Sequence, residues 1–311
     1  MRYINELKEG ARIQDIYLCK YKQSAVTKNG KHYDNVILQD KTGQIDAKIW
    51  DPNSDAIAEF EVLDYIYVAG TVSSFNGQLQ ASLKQVRKAD PGEYIPADYL
   101  PMTKKNTKAM YQELLSFAGS VTNPYLSRLL KDFFVEDKEF ISSFAKHSAA
   151  KTVHHSFVGG LLEHTLSVTR LAAFFADNYP AINRDLLIAA ALLHDIGKTK
   201  ELSFFPMNEY TDDGQLLGHI MIGAEMIHDK AQKIEGFPEL LETELKHCIL
   251  SHHGEYEFGS PKKPALIEAI ALNFADNADA KLETMTEALE YGTNEDWLGF
   301  NRFFDSNLRR T

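Results

Sequence analysis

Apolar and polar residues alternate with a period near two over the first ninety positions, and with a helical period from Lys104 onward. A β portion followed by an α portion is expected. In the first, Arg12 to Val26 carries β-favouring residues up to a Lys28-Asn29-Gly30-Lys31 turn. Tyr33 to Gln39 follows, and after Asp40-Lys41-Thr42-Gly43 the stretch Gln44 to Trp50 alternates strictly through Ile45, Ala47 and Ile49. This predicts a three-stranded meander. Asp51-Pro52-Asn53-Ser54 then offers a helix start before Asp55 to Phe60, and strands at Tyr65 to Phe75 and Leu79 to Lys88 flank the hairpin signal Asn76-Gly77.

Three strands, a short helix and two strands resemble an OB-fold, a small five-stranded barrel that commonly binds single-stranded nucleic acid or oligosaccharide. On such a face Tyr33, Trp50, Tyr67 and Phe75 are candidates to stack on bases, and Lys20, Lys22, Lys28, Lys31 and Lys48 to follow phosphates. The competing expectation is that roughly half of these aromatics are core and the lysines ordinary solvated residues. Ala89 to Met102 carries Pro91, Pro96 and Pro101, the composition of an extended tether. The expected division is a barrel over residues 1–90, a linker over 91–104 and an all-α bundle over 105–311. Helices are predicted at Thr107 to Phe117, Pro124 to Phe134, Asp137 to Lys146, Leu161 to Asn178, Arg184 to His194, Leu216 to Lys233, Pro238 to His252 and Pro264 to Tyr291. Asn307 to Thr311 reads as a frayed basic tail.

Composition narrows the class. The 311 residues carry a net charge of −11, unevenly spread: residues 1–90 hold 12 basic and 12 acidic side chains, the remainder 21 and 32. The excess lies on the helical part, where solubility alone explains it, so charge neither requires nor excludes RNA. The N-terminal residues lack a signal-peptide core, and no apolar run is long enough to cross a bilayer. The two cysteines, Cys19 and Cys248, are far apart and outside any C-x-x-C spacing, which argues against a disulfide scaffold or thiolate zinc site and for a reducing cytoplasm.

The chemistry is carried by His164, His194, Asp195, His219, His252, His253 and Asp276, all in apolar or helical settings. A buried imidazole or carboxylate loses hydration and needs something in return. A metal centre provides it. The apolar run Leu186 to Leu193 marks a buried helix ending in His194 and Asp195, then Gly197 and Lys198. His252 and His253 end another helix before Gly254, and Gly159-Gly160 before His164 permits close approach of a neighbouring element. His219 alone would pass as a satisfied core histidine. His147, His228 and His247 lie in charged surroundings and read as surface residues, and His32 as a turn residue.

The order H, HD, H, HH, D, with HD-x-G-K at His194 to Lys198, resembles the HD-domain metal-dependent phosphohydrolases over about residues 105–300. With the barrel in front, and the stretch Val153 to Val168, the chain is similar to the YhaM-type 3′→5′ exoribonucleases of Gram-positive bacteria. The resemblance implies one metal held by His164, His194, Asp195 and Asp276, with Asp195 bridging to a second held by His219, His252 and His253. It implies Asp195 and Lys198 at the reacting phosphate, and His154 or His155 as a phosphate contact or leaving-group acid. Such donors suit two divalent ions, Mn²⁺ foremost, with Co²⁺, Fe²⁺ or Zn²⁺ as alternatives.

The implied activity is metal-dependent 3′→5′ hydrolysis of single-stranded RNA, with single-stranded DNA a second candidate substrate, to nucleoside 5′-monophosphates. The alternatives are an HD nucleotide phosphohydrolase or cyclic-nucleotide phosphodiesterase, and more distantly a non-enzymatic RNA-binding protein with a structural metal. Structural zinc sites are closed and thiolate-rich, unlike this donor set. A homo-oligomer is compatible with the bundle, but no segment marks an interface.

Overall fold

The computed structural model describes residues 1–311 except Lys28, Asn76, Thr152, Val153, His154 and the stretch Gly292 to Glu295. The expectations for Lys28, Asn76 and His154 lie outside the described residues. Two compact units meet in the chain between Pro101 and Met102.

In the first unit, β1 (Arg12–Val26), β2 (His32–Asp40), β3 (Gly43–Ile49), β4 (Tyr65–Phe75) and β5 (Gln78–Lys88) close a barrel in the order β1-β2-β3-β5-β4. The β3–β5 pair is parallel, which is the OB-fold arrangement. Alternation works as expected: Ile45, Ala47 and Ile49 of β3 point into a core with Val36, Leu38, Ile66, Val68 and Ala81. The expected helix over 55–60 does not form. The β5 edge takes that backbone instead, with Ala58 N–H donating to Val86 O at 2.8 Å and Val86 N–H to Ala56 O at 3.0 Å. Phe60 is then buried in the barrel core.

The segment expected to be an extended tether packs on the barrel as far as Tyr99. Tyr94 stacks on Tyr65 at 3.8 Å between centroids, Tyr99 meets Tyr65 edge-on at 5.0 Å, and Lys41 pairs with Asp98 at 2.9 Å. Its tyrosines bury surface that a solvated linker would leave wet, which is why proline content misled.

The second unit is a bundle: α1 (Thr107–Gly119), α2 (Pro124–Lys131), α3 (Lys138–Phe144), α4 (Gly160–Asn178), α5 (Arg184–Leu193), α6 (Lys198–Glu201), α7 (Asp212–Leu216), α8 (Gly218–Ala231), α9 (Glu239–Ser251) and α10 (Ile267–Tyr291). Asn106, Asn123, Asp137, Asn183 and Thr211 cap helix starts with side-chain oxygens. The α5 residues Leu186 to Leu193 are all buried, making α5 the axis of the core. The C-terminal tail is not frayed. β6 (Trp297–Asn301) and β7 (Ser306–Arg309) form a hairpin, Leu308 is 5% exposed, and the Arg310 guanidinium donates to Leu289 O. Among the described residues, no helix is long and apolar enough to cross a membrane.

Candidate metal centre

Five helices deliver the polar residues to one place. His164 lies on α4, His194 and Asp195 follow the last residue of α5, His219 opens α8, His252 and His253 follow α9, and Asp276 lies on α10. Two glycines allow the approach. A Cβ on Gly160 would lie 2.0 Å from His155 O, and one on Gly197 would lie 2.0 Å from His219 O. Gly160 thus accepts the backbone of the preceding loop, and Gly197 accepts the start of α8.

The donors form two groups sharing Asp195. In the first, His164 Nε2 lies 3.1 Å from His194 Nε2, 3.3 Å from Asp195 Oδ2 and 3.2 Å from Asp276 Oδ1. His194 Nε2 is 3.3 Å from Asp195 Oδ2 and 3.9 Å from Asp276 Oδ1. In the second, Asp195 Oδ1 is 3.5 Å from His219 Nε2 and 3.7 Å from His252 Nε2, while His219, His252 and His253 offer donor atoms within 4.8 Å of one another. Donors about 2.1 Å from one ion are about 3.0 Å apart as octahedral neighbours and about 3.4 Å apart in a tetrahedron. The first group has that spacing except for His194 to Asp276 at 3.9 Å, and the second is somewhat wider, at 3.5 and 3.7 Å.

Hydrogen bonding aims the rings. Each Nδ1–H donates outward: His164 to Asp279 Oδ2 at 2.7 Å, His194 to Ala191 O at 2.8 Å, His219 to Glu201 Oε1 at 2.8 Å, His252 to Ile249 O at 2.7 Å and His253 to Phe258 O at 2.8 Å. Carbonyl and carboxylate oxygens only accept, so each Nδ1 carries a proton and the opposite ring nitrogen is left for the centre. Asp195 Oδ1, His219 Nε2 and His252 Nε2 are buried without a hydrogen-bond partner. Buried acceptors converging with no proton between them are costly until a cation joins them. The residues fit a pair of divalent ions.

Electrostatics agree. Burial resists ionisation of Asp195, but Lys198, His194 and His164 outweigh it and hold the carboxyl well below the usual range. Burial also opposes charge on His164, yet Asp195, Asp276 and Asp279 raise its pKa well above the ordinary value. Burial, then His253 and His194, push His252 well down, which keeps its lone pair available.

The structure gathers His164, His194, Asp195, His219, His252, His253 and Asp276 as a single constellation. Lys198 joins it, 15% exposed, with Nζ 2.7 Å from Asp195 Oδ2. His155 does not join its open side. It is 1% exposed and its Nε2–H donates to Asp279 Oδ2 at 3.0 Å, so this nitrogen is spent on a carboxylate inside the protein. His147, expected on the surface, is buried between Ser143 O and Leu202 O, because a loop that sequence neighbours do not reveal covers it. His228 and His32 are exposed and His247 is half-buried, accepting from Ala265 N–H.

Sequence reasoning missed Asp279 and Glu201. Asp279 stands three residues after Asp276 on the same face of α10, a spacing that could have flagged it. Glu201 follows Lys198 by one helical turn and accepts from both the ring and the backbone of His219.

On the barrel, Tyr33 stacks on Trp50 at 5.3 Å, with Trp50 44% exposed. Phe75 is 63% exposed, and Arg87 lies over the half-buried Tyr67 ring at 5.0 Å. None of the four is core; Tyr17 and Phe60 fill that role. Lys31 is exposed, Lys20 and Lys48 are half-buried, and Lys22 donates to Phe60 O at 2.8 Å.

A bundle whose helices converge on imidazoles and carboxylates in this order is an HD domain, and the HD-domain family model matches residues 161–281. Over 282 residues the chain is 36% identical to the 3′-5′ exoribonuclease YhaM of Bacillus velezensis, covering 90% of this chain and 88% of that one. It is equally similar to YhaM of Bacillus subtilis, and 35% identical over 278 residues to that of a Geobacillus strain, covering 89% and 85%. The chain belongs to the YhaM family of 3′-5′ exoribonucleases.

Proposed function

We propose that the protein hydrolyses single-stranded RNA from its 3′ end, releasing nucleoside 5′-monophosphates at a centre that takes two divalent ions, Mn²⁺ the preferred pair. The observation that carries this is Asp195, whose two oxygens serve two separate donor groups from the middle of a buried cluster. Such an ion pair, when bound, supplies an activated water and charge stabilisation for phosphodiester hydrolysis.

The chain's own residues do the rest. His164, His194, Asp195 and Asp276 would hold one ion, and Asp195, His219, His252 and His253 the other, each ring fixed by its outward Nδ1–H bond. Lys198 carries its charge to the edge of the centre, where it would offset a substrate phosphate. The exposed rings of Trp50, stacked on the half-buried Tyr33, and of Phe75 would supply flat faces for bases, which serves a polymer whose sequence is not read. Two buried free thiols, Cys19 and Cys248, suit a reducing cytoplasm.

The test is a time course with metal-stripped protein, added Mn²⁺ and 5′-labelled RNA. A ladder shortening from the 3′ end is expected. Protein that binds Mn²⁺ yet leaves the RNA intact while cleaving free nucleotides or cyclic dinucleotides would overturn the exonuclease reading in favour of a nucleotide phosphohydrolase or phosphodiesterase.

A further inference from the structure

His155 and Asp279 lie outside the two groups that share Asp195 but form a third buried cluster with His164, in which Asp279 bonds both rings. Asp279 Oδ2 accepts from His155 Nε2–H at 3.0 Å and from His164 Nδ1–H at 2.7 Å. His164 Nε2, on the opposite side of its ring, enters the first donor group. The result is a line of three side chains from His155, through Asp279 on α10, to His164 on α4. Its outer member is in a strained backbone conformation: His155 has φ of 59°, in the left-handed region a non-glycine residue rarely adopts. Strain of this kind persists only where the surroundings hold it. Here Gly160 holds it, since only a glycine leaves room for the His155 carbonyl, and Ala149 N–H and Phe157 N–H both donate to that carbonyl, at 3.1 and 2.9 Å.

We infer that His155 and Asp279 are positioning residues for the metal centre: His155 fixes the Asp279 carboxylate, and Asp279 fixes the tautomer and orientation of His164 and strengthens it as a donor. Three features carry this. The His155 ring is 1% exposed and bonds Asp279, so its strained placement serves a contact inside the protein. Asp279 spends one oxygen on both imidazoles, so losing either bond changes what the other ring receives. Of the rings in the first group, His164 has a carboxylate behind it and His194 a backbone carbonyl, so side-chain replacement can alter the first but not the second.

The inference rests on the metal reading of the centre but not on the RNA substrate, so its test uses metal alone. Mn²⁺ is titrated into the full-length, metal-stripped chain, with free Mn²⁺ followed by electron paramagnetic resonance, and Co²⁺ absorption bands report ligand geometry. Asp279→Asn should weaken the tighter class of Mn²⁺ roughly 10–100-fold. His155→Gln, which keeps a donor near the Nε2 position, should bind like the unaltered protein, whereas His155→Leu should lose affinity and shift the Co²⁺ bands. This pair keeps the test decisive if Asp279→Asn fails to fold. Unaltered Mn²⁺ affinity and Co²⁺ bands in Asp279→Asn or His155→Leu would overturn the assignment, as would equal losses in the two His155 variants. Failure of the unaltered chain to bind Mn²⁺ would instead defeat the metal reading itself, and intact binding without RNA hydrolysis only the substrate reading.

Discussion

Gly197, between the His194-Asp195 pair and α6, gives a direct test of whether the second donor group matters. A Cβ there would lie 2.0 Å from His219 O and 2.8 Å from Gly223 N. Ordinary contact begins near 3.4 Å, so in Gly197→Ala the first turn of α8 must retreat by about 1.4 Å. Both clashing atoms are backbone, and no rotamer change relieves them. His219 Nε2 is 3.5 Å from Asp195 Oδ1, and a displacement of that size takes it out of reach of an ion that Asp195 also holds. The first group draws on α4, α5 and α10 and should be spared. Overpacking of this kind costs about 1–3 kcal/mol of stability, and a 1 Å misplacement at a reacting centre costs about 10²-fold in rate. Thermal unfolding, Mn²⁺ equilibrium dialysis and decay of a 5′-labelled oligonucleotide measure the three consequences on one preparation. The variant should lose one of two classes of bound Mn²⁺ and fall about a hundredfold in turnover. Unchanged stoichiometry with unchanged turnover would refute the reasoning, because α8 would then have yielded without moving His219.

Asp195→Asn withdraws the shared charge from both groups at once; Mn²⁺ binding and RNA hydrolysis should fall together, and a variant that keeps either would separate the roles assigned here. Trp50→Ala removes one face of the Tyr33–Trp50 stack and should weaken binding of a long single strand by about 1–3 kcal/mol, read by anisotropy, with little effect on hydrolysis of a dinucleotide. Burial disfavours the His164 cation but three carboxylates overcome it, so its pKa is raised in the metal-free fold. Its contribution to stability is therefore complete below the unfolded value of about 6.5 and is lost as pH rises through the raised folded value. Metal-free protein should lose melting temperature as pH climbs above neutrality, Mn²⁺ should restore it, and His164→Gln should flatten the slope; a metal-free melting temperature that rises over that range would contradict the assignment.

What could be read without coordinates has a physical pattern. A polar residue ending an apolar run is visible in one dimension, because the contradiction between burial and charge lies within a few residues. His194 and Asp195 after Leu186 to Leu193 show this, as do His252 and His253. Strand alternation in β3 was legible for the same reason, since the two faces of a strand are written in adjacent letters. What could not be read depends on distant partners. His155 and Asp279 are 124 positions apart, and nothing in the letters around His155 points to its partner. The tyrosines at 94 and 99 find Tyr65 only once the barrel closes, so their prolines alone suggested a tether. Candidate ligands stand out in a sequence because a metal would demand several polar residues in unusual settings. A residue that orients a ring answers to one or two neighbours rather than to a converging set, as Asp279 does to His155 and His164, and that demand leaves too small a trace in the chain to be seen before the helices are brought together.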